Sequence, residues 1–300
     1  MNKTVVVAAL LILITALALS AHLSTTDLEY SRYNQEWTGT SGFFTVLEEQ
    51  GARDLGSFSS LPDQDNALLL IIAPGSTFTA EETADLRAFL GRGNTVFIAD
   101  ETGEANPLLA DLGSTLRIVP ANISSVEMEY DDPRTVIVHP RGNDPLLANV
   151  TTLTLNQASA VSGGIPLLST TLFSWDDRNG NGKIDEDEPL SPFAVSAREQ
   201  IGSGTLYVLS DPSIFINGMR TARPGSGDNG VFIGNLLSGS DTVLVEQSHS
   251  RTAGADWILS VALLVKHSMS IKIAALILSV VIVLAAFFGR WTEGGRWKYG

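Results

Sequence analysis

The chain has 300 residues, 44% of them hydrophobic, and a formal net charge of −14. It contains no cysteine, which excludes disulfides, thiolate metal sites and a cysteine nucleophile together. Over residues 22–265, between two apolar segments, 13 Lys and Arg stand against 32 Asp and Glu, a charge of −19. Phosphate backbones repel such a surface, so nucleic acid is not expected as a partner.

The first apolar segment covers residues 5–21, with Lys3 before it and no charge inside. It is near the length that crosses a bilayer, about 20 residues, and is read as an uncleaved anchor or a cleavable signal peptide within residues 1–22. Both readings put residues 23–250 outside the membrane as one extracytoplasmic domain. The second segment, residues 271–289, reads as a transmembrane helix. Arg290, Trp291, Arg296, Trp297 and Lys298 follow it as an interfacial belt and a cytoplasmic tail, residues 290–300. Residues 251–270 are expected to be juxtamembrane. The expected setting is therefore the cell membrane, with membrane or envelope proteins as partners.

Within the domain, the stretch up to residue 40 reads as a polar linker and approach loop. A helix follows at 41–51, with Ser41 as its cap and Phe44, Val46 and Leu47 on its apolar side. Residues 67–73 form a short continuous apolar run stopped by Pro74-Gly75, the pattern of a strand buried on both faces. Thr79 and Glu82 have capping-box spacing before a stripe of Leu86, Phe89 and Leu90, so a helix is expected there. "TVFIAD", residues 95–100, returns as a second strand. Strand, helix and strand make a βαβ unit with parallel strands. "NPLLADLG" suggests a short helix. Residues 115–174 alternate short apolar runs with Asn, Asp, Pro and Gly and read as β-rich and partly antiparallel. "PFAVSAREQIGSGTLYVLSDP" gives two strands across a Gly-rich turn, and "DNGVFIGNLLSG" closes the domain as a helix.

Four stretches carry a family resemblance: "FFTVLEEQG", "LLLIIAPGSTFTAEETADLRAFLGRGNTVFIAD", "GTLYVLSDPSIFINGM" and "DNGVFIGNLLSG". In this order they resemble a membrane-anchored archaeal and bacterial family whose outside domain is catalogued as a domain of unknown function. The pattern is also similar to the auxiliary domain of gliding-motility-type ABC transporters. More remotely, it is similar to the class I glutamine amidotransferase fold. The resemblance implies an α/β fold, a flavodoxin-like or glutamine amidotransferase-like sheet with a β-rich insertion, flanked by N- and C-terminal transmembrane helices. It implies no known reaction.

The most specific motif lies outside that pattern. "DDRNGNGKIDEDE" ends on the acid at position 188 and matches a twelve-residue calcium loop over residues 177–188. Asp177, Asn179 and Asn181 take ligand positions 1, 3 and 5, and Gly182 takes the turn at position 6. Lys183 contributes its carbonyl at position 7, Asp185 takes position 9, often through water, and Glu188 takes position 12. Ile184 is the expected apolar residue at position 8. Pro189 and Pro192 prevent a helix from starting at once, so the motif is expected to be a structural calcium loop between strands and not an EF-hand. The alternative is a solvated acidic turn, since Asp, Asn and Gly are turn residues anyway.

Catalytic sets are scarce. The four histidines are scattered, and neither a G-x-S-x-G elbow nor a P-loop occurs. The amidotransferase likeness therefore concerns fold, not reaction. In open α/β sheets, ligands bind outside the carboxyl ends of the strands. Ser76, Asp100, Glu101 and Asp211 follow expected strands, and Asp228 and Asn229 precede the last helix. They are the candidate ligand-binding residues, with capping of turns and helices as the competing role for Asp211 and Asp228. The expected function is a non-catalytic, membrane-anchored accessory protein acting in transport or envelope assembly. An extracytoplasmic small-ligand or peptide sensor is the alternative. A hydrolase using carboxylates such as Asp100 and Asp211 is the third reading.

Overall fold

The computed structural model describes residues 25–220, 227–255 and 260. Both apolar segments lie outside the described residues. Among the described residues no helix is long and apolar enough to cross a membrane. The chain divides into two units, and the one described nearly throughout is Asp27–Gly254. The other, Met1–Thr26 with Ala255–Gly300, lies almost wholly outside the described residues.

The elements of Asp27–Gly254 begin with helix α1 (Ser41–Glu49), strand β1 (Arg53–Asp54) and a 3-10 turn (Phe58–Asp63). Then come β2 (Ala67–Ile72), α2 (Ala80–Gly91), β3 (Thr95–Ala99) and α3 (Asn106–Asp111). The β-rich middle holds β4 (Arg117–Val119), β5 (Ile123–Ser125), β6 (Thr135–Pro140) and β7 (Leu153–Asn156). It continues with β8 (Ala160–Ser162), β9 (Ile165–Ser169) and β10 (Ser174–Asp176). The hairpin β11 (Ala194–Ile201) and β12 (Gly204–Leu209) leads to α4 (Asn217–Arg220), α5 (Asn229–Ser238) and β13 (Thr242–Val245).

The main sheet is mixed and runs β1-β13-β2-β3-β12-β11-β9-β6-β7. Its first five strands are parallel, and β11, β9, β6 and β7 continue it through antiparallel pairs. The βαβ unit is present as expected, with Leu68 of β2 opposite Thr95 of β3. The flavodoxin-like expectation needs correction. In flavodoxin-like sheets the strand order is 2-1-3-4-5. Here α5 carries the chain back across the sheet, and the last strand, β13, inserts between β1 and β2. The last helix therefore does not close the domain.

Strand alternation splits the core into two layers. Leu68, Leu70 and Ile72 of β2 pack with Phe97 of β3 against α1 (Phe43, Phe44, Leu47) and α5 (Phe232, Ile233, Leu236). Leu69 and Ile71 pack with Val96 and Ile98 against α2 (Leu86, Phe89, Leu90) and α3 (Leu108, Leu109). This double burial explains why β2 reads as an unbroken apolar run.

The helix starts differ in how they are capped. At α2 the capping box is complete: Glu82 N donates to Thr79 Oγ1 at 3.3 Å, and Thr79 N donates to Glu82 Oε2 at 2.8 Å. Thr79→Ala should cost about 1 kcal/mol and lower the melting temperature by about 2–4 °C. Thermal melting checks this, and an unchanged Tm would refute the cap's contribution. At α1, Ser41 is not the cap. It is the first helical residue, and Asn217 Oδ1 accepts from Gly42 N at 2.8 Å across the fold.

Two local readings also change. The stretch read within the domain as a polar linker is packed into it: Tyr30, Ser31, Asn34 and Thr40 are buried, and Arg32 N donates to Thr252 O at 2.8 Å. The stretch read as juxtamembrane begins inside the domain, because Arg251–Ala253 forms a 3-10 turn with Thr252 buried.

Candidate functional site

Two places carry candidate chemistry. The first is the loop between β10 and β11. Its opening residue, Asp177, is fully buried, and its closing residue, Glu188, is 3% exposed. Asp177 Oδ1 accepts from Asn181 N at 3.1 Å, and its Oδ2 accepts from Gly182 N at 2.8 Å. Glu188 Oε1 accepts from Arg178 N at 2.8 Å, which ties the end of the loop to its start. Asp185 Oδ2 accepts from both Asn179 Nδ2 (2.6 Å) and Asn181 Nδ2 (2.9 Å). Three of the five expected ligand side chains, Asn179, Asn181 and Asp185, thus meet one another, and those of Asp177 and Glu188 turn onto N–H groups of the loop. Gly180 and Gly182 adopt φ of 70° and 69°, left-handed values that let so short a loop turn back on itself. Asn122 holds the loop from outside, its Nδ2 donating to Asp177 O at 2.9 Å.

The donor set fits a hard cation. Among the described residues no cationic side chain pairs within 4 Å with Asp177, Asp185 or Glu188, although Arg134 acts on Asp177 electrostatically. Burying carboxylates without a paired charge is costly, and calcium would offset that cost with oxygen coordination. Asn179, Asn181 and the Lys183 carbonyl would complete the shell once the two amides turn Oδ1 inward. Among the described residues no three His, Asp or Glu side chains form a ready metal group. The carboxylates here are turned onto the loop's own N–H groups. Ile184 is 48% exposed and does not pack in the core.

The second place is the carboxyl end of the parallel strands, where the candidate ligand-binding residues lie. Ser76 is exposed on the way into α2. Asp100 is fully buried and accepts from Thr102 N (2.8 Å), Thr102 Oγ1 (2.9 Å) and Ala105 N (2.8 Å), which fixes the turn into α3.

Asp211, Asp228 and Asn229 share a different task. Thr154 and Asn156 of β7, and Thr152 just before it, turn backbone groups away from β6, leaving an open sheet edge. Asp228 N donates to Thr152 O at 2.7 Å, and Asp228 Oδ2 accepts from Thr151 N at 2.7 Å. Asn229 Oδ1 accepts from Thr154 N at 3.0 Å, and Asn229 Nδ2 donates to Thr154 O at 2.9 Å. Asp211 Oδ2 accepts from Asn156 N at 2.6 Å. These three residues act as a substitute strand that covers the edge, as sheets require. Asp211 also caps the 3-10 turn Pro212–Phe215 by accepting from Ser213 N at 2.7 Å. Asp228 precedes α5 without a side-chain cap. The hydrogen bonds from Thr151 hold its carboxyl below the usual range. Asn229→Ala would remove both hydrogen bonds that its side chain makes to the Thr154 backbone and should cost about 2 kcal/mol, read by denaturant unfolding. A loss below a few tenths of this would remove the edge-covering role.

Glu101 remains. Its Oε1 takes Arg251 Nη2 in a close ion pair, while its Oε2 is buried with no hydrogen-bond partner among the described residues. Burial raises its carboxyl, and Arg251 opposes that shift. Arg251 lies 4.6 Å over the ring of Tyr30 and reaches Glu29 at 3.8 Å. Burial and then Asp211 and Glu101 push the Tyr30 hydroxyl far up. The strand-end crevice is therefore filled by the domain's own segments. Arg251 N donates to Ala73 O at 2.8 Å, and Gly75 N donates to His249 O at 2.8 Å. Tyr30 and Arg251 were missed as members of this cluster, because nothing local in the sequence marks them.

Residues 32–237 match the model of a family described as a domain of unknown function, DUF4350. The chain belongs to that family. No curated protein matches the chain. Among solved structures, the DUF4350 chain is similar to the mmIFT52 N-terminal domain, at 17% identity and a TM-score of 0.49, over 67% of this chain and 91% of that one. It is also similar to a β-galactosidase from Bacillus circulans sp. alkalophilus, at 10% identity and a TM-score of 0.33. A β-galactosidase from Rahnella sp. R3 matches at 14% identity and the same TM-score. The chain covers 23% of the length of each of these enzymes, and 59% of it is matched. Likenesses this distant carry no argument about activity.

Proposed function

We propose that this DUF4350 protein is a non-catalytic, membrane-anchored accessory protein, with loop 177–188 holding a structural calcium ion. Its α/β domain lies outside the membrane and works through contacts with other membrane or envelope proteins, in transport or envelope assembly. One observation carries the non-catalytic reading. The strand-end side chains that would serve a reaction are engaged by the domain's own backbone, with Asp100 and Asp211 both fully buried. That engagement also weighs against a hydrolase built on Asp100 and Asp211. The acceptor spacing of Asp177, Asn179, Asn181, Asp185 and Glu188, with Asp177 and Glu188 buried, supports calcium, which would neutralise the three carboxylates and pin the long connection from β10 to β11.

Isothermal titration of calcium into the protein tests the ion site. One ion per chain, with Kd of about 10⁻⁴ to 10⁻³ M, is expected for a structural loop outside the cell. No heat at millimolar calcium would make the loop an acidic turn. Crosslinking in native membranes tests the accessory role. A reproducible membrane-protein partner is expected, and a chain that crosslinks to none would count against it.

A cavity of about 370 Å³ favours a second reading, a sensor for a small polar ligand. It lies between the Phe58–Asp63 turn and the start of α2, lined by Ser57, Ser59, Thr79, Glu82, Asp85 and Ser248. Native mass spectrometry that finds a stoichiometric small molecule, lost in Ser59→Trp, would favour this reading over the first.

A further inference from the structure

The two ends of the domain leave it side by side. Ser31 Oγ donates to Gly254 O, and a Cβ on Gly254 would stand 3.7 Å from Leu28 Cδ1. Beside this exit lies an apolar surface. Leu28 is 41% exposed, and Trp37 is 49% exposed and lies flat against Gly218. The Trp37 ring meets Tyr130 edge-on, with centroids 5.7 Å apart. Along the same segment Tyr130, Met128 and Val126 are all exposed, and Val126 N donates to the carbonyl of exposed Phe173 at 3.0 Å. Exposed apolar side chains linked from Trp37 to Tyr130 and on along residues 126–130 mark a contact surface.

We propose that this patch rests on the lipid surface of the membrane that anchors the chain. The inference depends on reading residues 5–21 as an uncleaved anchor. Tether length selects the occupant. Only residues 22–26 separate that segment from Asp27. Five residues span at most about 18 Å even when fully extended. The exit edge must then stay close to the headgroups, and the exposed side chains beside it include Trp and Tyr, which favour that depth. The chemistry also chooses the lipid. The patch is flanked by Asp27, Glu29, Glu36 and Asp131, all exposed, so uncharged headgroups fit and anionic ones are repelled.

The absence of cysteine makes a clean test possible, because any introduced thiol is unique. The full chain carrying Met128→Cys is labelled with a fluorophore and reconstituted into phosphatidylcholine vesicles containing doxyl lipids. Ser203→Cys, exposed in the β11–β12 turn at the amino end of the parallel strands, is the control. Flotation and intact mass first establish that the chain is anchored with residues 5–21 retained. Strong quenching at Met128→Cys, at least about twofold above Ser203→Cys, is expected at the interfacial depth of aromatic belts. Quenching should fall when Tyr130→Ser is added and when anionic lipid replaces phosphatidylcholine at low salt. A chain that fails to float or has lost its first segment overturns the anchor reading, and the inference with it. An anchored chain whose Met128→Cys label is no more quenched than the control overturns the lipid contact alone. A label shielded from aqueous iodide but untouched by doxyl lipid would assign the patch to a protein surface and also overturn it.

Discussion

Calcium at about 10 mM should raise the melting temperature of the Asp27–Gly254 domain by roughly 3–10 °C. With Kd of about 10⁻⁴ to 10⁻³ M, that concentration is about 10 to 100 times Kd and stabilises by about 1.4–2.7 kcal/mol. A domain of this size converts each kcal/mol into about 2–4 °C. The effect should be larger than for most surface ions, because Asp177 and Glu188 are buried and gain a partner for their charge. Magnesium should do less, since it demands a rigid octahedron and keeps its waters. Asp177→Ala with Glu188→Ala should abolish the response. It should also lower the calcium-free Tm, because Asp177 holds Asn181 N and Gly182 N, and Glu188 holds Arg178 N. Asp185→Asn offers a milder control. It keeps the loop's acceptor oxygen, removes one charge and should weaken the response without unfolding the domain. A calcium shift that survives in the double variant would place the ion elsewhere.

Much of the scaffold was legible because its signals are local. The buried run at β2, the capping box of Thr79 and Glu82, the stripe of α2 and the turn between β11 and β12 each lie within a few residues. The turn of loop 177–188 is legible for the same reason: alternating Asp and Asn acceptors and Gly182 specify it before any tertiary contact forms. What escaped depends on partners far along the chain. Residues 27–40 read as a linker because they are polar, yet Asn34 and Thr40 are buried by hydrogen bonds to Leu28 O and Tyr30 O. Strand β13 has four residues, too few for periodicity to declare it, and its position between β1 and β2 follows from the return of α5. The roles of Asp211, Asp228 and Asn229 were half visible. Asp211 does cap a turn, but β7 supplies the donors that decide the group's role, and it precedes Asp211 by more than 50 residues.

Stability of the domain should fall as pH rises from 5 to 8, and Asp211 should account for a loss of about 2–3 kcal/mol. Burial, with a smaller push from nearby Glu101, lifts the Asp211 carboxyl to about 7, even though Ser213 Oγ, Ser213 N and Asn156 N all donate to it. The sign follows from linkage. The folded-state pKa lies above the unfolded value of about 3.9, so protons bind the native state more tightly. The stabilisation is fully present below the unfolded pKa and disappears as pH climbs through about 7. Thermal melts at pH 5, 6, 7 and 8 read the slope, and comparison with Asp211→Asn cancels the groups that are not coupled to Asp211. The variant should lose this component of the slope. Ser213→Ala supplies a second readout that does not depend on Asn fitting the site. It removes one donor to the carboxylate and should move the midpoint to higher pH. If Asp211→Asn keeps the wild-type slope and Ser213→Ala leaves the midpoint in place, the three donors outweigh burial. Asp211 is then an ordinary ionised cap, and the edge of β7 is held by a charged group.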